Sequence, residues 1–174
     1  PSGDFCVDAV NATTMLIKVD VLKKIGGWDK NIYVYLEDID ICLRLTLMGY
    51  NIIKIADAVA DHKGWSSHFD EIKPTMNISR IWHFTWSSLY FESKFCKKSI
   101  VIQKTLKIVT LCLIKNIFNL FLFRFNKFKI NNIKLSACFA FIFKKGSYFR
   151  VNHKLNYKNY KWRGGRVVEG ARLE

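Results

Sequence analysis

Residues 26–62 read GGWDKNIYVYLEDIDICLRLTLMGYNIIKIADAVADH, and the way this stretch is parsed decides how the chain is organised. From Glu37 the apolar residues Ile41, Leu45 and Met48 recur three and four apart, and Leu43 and Leu47 widen the stripe, which predicts a helix. Gly49 stands where a helix C-terminal glycine belongs. Upstream, the Gly26-Gly27 pair ends a short helix over VLKKI, for which Asp20 reads as the N-cap. Trp28-Asp29 follows in a loop, and the aromatic stretch IYVYL leads into Glu37-Asp38. Downstream, NIIKI (51–55) has the make-up of a short strand, with a loop carrying His62, Gly64 and Trp65 after it.

On the N-terminal side, residues 5–19 mix β-branched and apolar residues as a half-buried strand or two would. Residues 78–98 read as helix, with Ile81, Phe84, Leu89 and Phe95 among its apolar positions. Residues 99–125 are apolar but broken by Lys104, Lys107, Lys115 and Arg124. At 100° per residue, Lys97, Lys104, Lys107, Lys115 and Asn119 share a band of roughly 120°, so the segment reads as an amphipathic helix. Its longest charge-free run, Asn116 to Phe123, is far short of the ~20 residues a membrane span needs, and so is Leu135 to Phe143. The last dozen residues, RGGRVVEGARLE, hold three of the chain's seven arginines and no lysine, which sets them apart as a tail of foreign character. No internal repeat is visible.

A chain of 174 residues suits one domain, and with half of it apolar it can bury a core, which excludes a disordered tail. Its net charge of +14 is uneven: residues 1–62 are near balance, whereas no acidic residue occurs between Lys94 and Glu169. Such asymmetry points to an acidic partner surface. Cys6, Cys42, Cys96, Cys112 and Cys138 show neither zinc-site spacing nor a disulfide framework, which favours a reducing compartment. The opening PSGDFC has no signal-peptide character and reads as the interior of a longer protein.

Three acids, Glu37, Asp38 and Asp40, stand at the predicted start of a helix whose other face is apolar. Acids favour that position anyway, because the macrodipole stabilises them by ~0.3–1 kcal/mol. A carboxylate held there is also suited to general base catalysis: the dipole favours its ionised form, and a rigid helix start fixes its aim. The adjacent Glu37 opposes that ionisation. Local pattern leaves both readings open. His62 is either a structural histidine or a ligand for Mn²⁺ or a similar divalent ion. Trp28 and Asp29 are either a core tryptophan beside a turn aspartate, or an aromatic face and a carboxylate suited to a sugar's C–H surface and hydroxyls.

Taken together, Gly26, Gly27, Trp28, Asp29, Glu37, Asp38, Asp40, Arg44, Gly49, Tyr50 and His62 fall in an order and spacing similar to the C-terminal half of the catalytic domain of family 2 glycosyltransferases. The bacterial rhamnosyltransferase-like enzymes of surface polysaccharide synthesis are the nearest likeness. The resemblance covers about residues 5–70, and more loosely the basic helices of 78–150. It implies an α/β chain comprising the C-terminal half of a GT-A domain, related to the Rossmann class, over residues 1–75. A basic helical extension over 76–150 and a flexible tail over 151–174 would follow. It further implies Asp38 as the catalytic base, Trp28, Asp29 and Glu37 on the acceptor side, and His62 as a metal ligand. The cofactor expected is a divalent metal, Mn²⁺ or Mg²⁺, with its main ligands in a nucleotide-binding half that this chain lacks. The Asp38-Ile39-Asp40 triplet has the spelling of the family's Asp-x-Asp motif but stands on the helix of the base.

The partners expected are a nucleotide-sugar donor, a saccharide or lipid-linked acceptor, and an anionic membrane surface. The setting expected is cytoplasmic, peripheral at the inner face of the cell membrane. Basic residues near anionic lipid contribute ~1 kcal/mol each, which suits the lysine-rich helix. A non-catalytic membrane-surface or protein-binding helical module is the alternative. Nucleic acid is not expected as a partner, because no recognition-motif spacing accompanies the high pI.

Overall fold

A computed structural model describes residues 3–60 and 73–150 of the chain. His62 and the segment 151–174 lie outside those residues. The described residues are mostly helical. In chain order they form strand β1 (Phe5–Val7), a single 3-10 turn (Ala12–Thr14), helices α1 (Val19–Lys24) and α2 (Glu37–Leu47), strand β2 (Ile52–Lys54), and helices α3 (Lys73–Phe95), α4 (Lys98–Phe121) and α5 (Phe125–Ile142).

The two strands pair antiparallel, with Cys6 opposite Ile53. They are the one sheet among the described residues, and the parallel sheet of a Rossmann-related domain is not among them. The stretch 5–19 therefore contributes one three-residue strand and a turn, in place of a longer strand or two. Asn11 explains the turn: its side chain accepts from the Thr13 backbone N–H at 2.9 Å, and that local bond competes with strand pairing. Asp20 is a first-turn residue of α1 and not its cap; Lys18 holds the cap position without a side-chain bond.

Helix α2 forms where its apolar period predicts, but only part of the stripe is inward: Leu47 is exposed, and so is Met48, which lies just past the helix end. Ile41, Cys42 and Leu45 form a buried core with Val10, Met15, Ile17, Leu22, Ile25 and Ile52 packed round it. Gly49, at φ 84°, takes the left-handed position just past the helix end that only glycine occupies freely. A second core lies between α3 and α5. There Trp82 and Trp86 pack on Ala137 and Ala140, bulky residues of one helix against small residues of the other. Each indole N–H is satisfied, by Ser136 Oγ at 3.3 Å and by the Lys145 carbonyl at 3.0 Å.

Helix α4 departs from the sequence reading. Its buried positions are Val101, Thr105, Cys112, Asn116 and Asn119, while Leu, Ile and Phe side chains cover its outer face. Asn119, assigned above to the solvated lysine band, is buried. Asn116 donates to Asn132 of α5 at 2.8 Å, so part of this helix contact is a hydrogen bond between amides. The apolar stretch 99–125 also breaks: α4 ends at Phe121, and Phe123, at φ 51°, turns the chain into α5.

Candidate active site

The site is built on the turn that joins α1 to α2. Gly26 and Gly27 both adopt left-handed backbone, at φ 77° and 72°, which frees the carbonyls of this turn to face α2. Arg44 takes up two of them. Its guanidinium donates to the Ile25 carbonyl at 2.7 Å and the Gly27 carbonyl at 2.8 Å, and its Nε pairs with Asp40 at 2.8 Å. A planar five-donor fork can satisfy all three acceptors at once, which a lysine cannot. The spacing of the glycine pair, Asp40 and Arg44 thus has a structural explanation.

Trp28 follows, about half exposed, and then Asp29. Both carboxylate oxygens of Asp29 are in use. Oδ1 accepts from the backbone N–H and the side-chain amide of Asn31, each at 2.9 Å. Oδ2 accepts from the Tyr90 hydroxyl at 3.1 Å and the Lys94 ammonium at 2.7 Å. Burial alone would raise the Asp29 pKa. The Lys94 hydrogen bond, the Asn31 N–H, the Lys94 charge and the Tyr90 hydroxyl outweigh it and bring the pKa down to about 2. Lys94 also pairs with Asp40, which is fully buried. Lys94 therefore ties α3 to both the turn and α2, and the two carboxylates hold its pKa above the ordinary lysine value against the effect of burial.

The loop from Asn31 to Leu36 lies along α3. Ser87 donates to the Val34 carbonyl at 2.9 Å, and Tyr33 packs on His83 at 5.0 Å between ring centres. Tyr35 meets Phe84 edge-on at 6.0 Å, and Arg80 hydrogen-bonds its hydroxyl. The loop ends in strained backbone: Tyr35 and Leu36, neither of them glycine, are both left-handed at φ 69° and 66°. Each costs roughly 1–3 kcal/mol and persists only where the surroundings over-determine it. Their effect is to start α2 abruptly, with the Asp40 N–H already bonded to the Leu36 carbonyl at 2.8 Å.

Glu37 and Asp38 are thereby the first two residues of α2. Among the described residues Asp38 accepts one hydrogen bond, from the Ile39 N–H at 2.9 Å, and joins no ion pair. Glu37 Oε2 is buried and has no hydrogen-bond partner among the described residues. Burial, and after it the Asp38 charge, raises the Glu37 pKa, against a partial offset from its own backbone N–H. Four acids thus divide by environment. Asp29 and Asp40 are neutralised by cations; Glu37 and Asp38 have no cation partner among the described residues.

The structure brings Asp29, Glu37, Asp38 and Asp40 onto one turn-and-helix unit, with Trp28 beside it. Among the described residues no group of three or more His, Cys, Asp or Glu side chains could hold a metal ion. With Asp29 and Asp40 committed to Lys94 and Arg44, the described residues do not form a cation site.

Sequence reasoning missed Lys94, Tyr90 and Ser87, which hold the loop from α3, because nothing local links residues more than fifty positions apart. It also gave His83 no role. His83 is buried, with Nε2 at 2.8 Å from the Phe149 carbonyl and Nδ1 at 2.8 Å from Ser147 Oγ. A carbonyl only accepts, so Nε2 carries the proton and Nδ1 accepts from Ser147. An open cavity of about 800 Å³ borders the site, lined by Asn31, Trp86 and Tyr90 on one side and Val101, Thr105 and Phe141 on the other. Neither Glu37 nor Asp38 lines it.

No protein family's sequence profile matches the chain, and no solved structure matches it. Among curated proteins it is similar to rhamnosyltransferase WbbL of Escherichia coli (strain K12), at 30% identity over 92 residues. The match takes in 53% of this chain and 33% of that protein, so the chain spans about a third of the length of the relative it matches. The likeness amounts to a distant, glycosyltransferase-like relationship.

Proposed function

We propose that the chain forms the acceptor side of an inverting, nucleotide-sugar-dependent glycosyltransferase of GT-A type, with Asp38 as its general base. One observation carries the reading. Strained, non-glycine backbone delivers to a helix start a carboxylate that no cation among the described residues pairs, while its neighbours Asp29 and Asp40 are locked into ion pairs. A purely structural first-turn acid requires no such strain.

In the proposed step, Asp38 accepts the proton of an acceptor hydroxyl as that oxygen attacks the anomeric carbon. The bond to the nucleoside diphosphate breaks on the opposite face, and the diphosphate leaves with the bonding electrons. A positioned carboxylate contributes about 10²–10⁴-fold to such a transfer. Glu37, whose pKa is raised by burial and by the Asp38 charge, stands beside the base and can hydrogen-bond an acceptor hydroxyl. The exposed face of Trp28 suits the C–H surface of a sugar. Asp29, with four donors on its carboxylate, positions Trp28 and the loop and has little capacity left for acceptor hydroxyls.

The divalent metal expected in such enzymes, and a role for His62 in holding it, belong to this reading, but no step assigned to the described residues runs through it. Residues 1–75 are the catalytic portion in this proposal and 76–150 an extension whose first helix, α3, braces the loop of the site. The apolar cavity, with Lys98, Lys144 and Lys145 among its lining residues, supports an acceptor that is lipid-linked and carries phosphate.

The test is a sugar-transfer assay over a panel of nucleotide-sugar donors, with the chain joined to a donor-binding half. Asp38→Asn is expected to lower kcat at least ~10²-fold with the donor KM little changed. Turnover equal to the parent's removes Asp38 as the base.

A further inference from the structure

We infer that the outer face of α4, continued through the α4–α5 turn, inserts into the headgroup region of an anionic lipid bilayer. The inference is independent of the chemistry proposed for Asp38. It begins from the inversion of α4. A helix on the surface of a water-soluble core turns its apolar stripe inward. Here the inward side chains are Val101, Thr105, Cys112, Asn116 and Asn119, and the outward ones include Leu106, Leu113, Ile117 and Leu120. These four, with Phe121 and Phe123 in the turn, are 50–78% exposed. At 100° per residue the four helix positions lie within about 60° of one another, so they make one continuous stripe and not scattered exposure.

Charge identifies what covers the stripe. From Lys94 to Arg150 inclusive there are thirteen lysines and arginines and no aspartate or glutamate. Two copies of this surface laid face to face would set cation against cation, so a second copy of the chain is disfavoured as the occupant. An anionic bilayer satisfies both features: acyl chains receive the Leu and Phe side chains, and headgroups receive the cations. The placement of the cations agrees. Lys107 stands about a quarter-turn from the stripe, and Arg124 and Lys127 follow directly on the apolar turn, where long side chains can reach headgroups while their stems stay among apolar groups. No helix among the described residues is long and apolar enough to cross a membrane, so the mode is interfacial and parallel to the surface. The contact surface is thus the apolar face itself; the lysine band read from the sequence only flanks it.

The experiment uses the full chain and vesicles of phosphatidylcholine, alone or mixed with phosphatidylglycerol. Co-sedimentation is expected with the mixed vesicles, weakened by salt and slight with phosphatidylcholine alone. The triple variant Leu120→Gln, Phe121→Gln, Phe123→Gln is expected to keep the parent's circular dichroism and to partition at least ~10-fold less. Separately, the Phe121→Trp emission, taken as the difference from the parent with its five tryptophans, is expected to shift to the blue on mixed vesicles and to be quenched by brominated acyl chains. A triple variant that sediments as the parent does overturns the inference, as does Phe121→Trp emission unmoved by vesicles that bind the protein. Failure to bind vesicles, together with a lipid-free dimer that the triple variant abolishes, would give the stripe to a second copy and overturn it equally.

Discussion

Asp29 and Asp38 are the same chemical group nine positions apart, and their surroundings send them in opposite directions. Asp29 is held by Lys94, Tyr90 and Asn31, its folded pKa about 2 against 3.8 for an ordinary aspartate. A carboxyl whose folded pKa is depressed stabilises the fold fully above its unfolded value, and that contribution is lost as pH falls through the folded value. Asp29→Asn is therefore expected to cost about 2 kcal/mol at pH 7 in urea unfolding, with parent and variant converging between about pH 4 and pH 2. Glu37 has the opposite sign. Its raised pKa means that the folded state holds the proton more tightly, so ionisation at higher pH destabilises the fold. Glu37→Gln should match or exceed the parent's Tm at neutral pH and flatten its dependence on pH through the carboxylate range. A stabilising substitution beside the proposed base, coupled with weakened acceptor binding in the transfer assay, is the signature of a residue kept for function.

At the scale of elements, the entry to α2 is held from behind by Arg44 and from above by α3. Arg44→Lys keeps the charge but loses the fork, leaving carbonyls of the Gly26-Gly27 turn unsatisfied. A loss of about 3 kcal/mol is expected in denaturant unfolding, the lower end for breaking a buried pair, because Lys94 still meets Asp40. At Gly27 the demand is on backbone conformation and not on space: no atom lies within 4 Å of where a Cβ would stand, yet φ is 72°. Gly27→Ala should therefore cost about 1–2 kcal/mol, from the left-handed backbone alone. Helix α3 was legible as a helix from its apolar period, but its partners were not. The side chains that grip the loop are polar, Ser87, Tyr90 and Lys94, and single polar residues carry no period.

Across the whole molecule, two hydrophobic cores stand side by side, one under α2 and one between α3 and α5. Asp29, Asp40 and Lys94 join them by ion pairs. This arrangement predicts a sharp contrast between two sets of apolar residues. Ala137 is fully buried against the tryptophans, and Ala137→Leu overfills that contact, with an expected loss of about 1–3 kcal/mol by thermal or urea unfolding. Replacing Leu106, Leu113 and Ile117 together by glutamine should move stability by no more than about 0.5 kcal/mol per site, since each is half-exposed or more and supports no core.

Helix α2, its glycine stop, the strand after it and the acid pair at its start are legible in the chain alone, because they rest on periodicity and backbone preference, which are local properties. It also pointed to glycosyltransferases, through the order of Gly26, Gly27, Trp28, Asp29, Glu37, Asp38 and Arg44. Which of four similar acids are neutralised, and which face of α4 is turned inward, emerges from packing. Both depend on what stands opposite a side chain, and residues as far apart in the chain as Asp29 and Lys94, or Asn116 and Asn132, meet only when the helices pack.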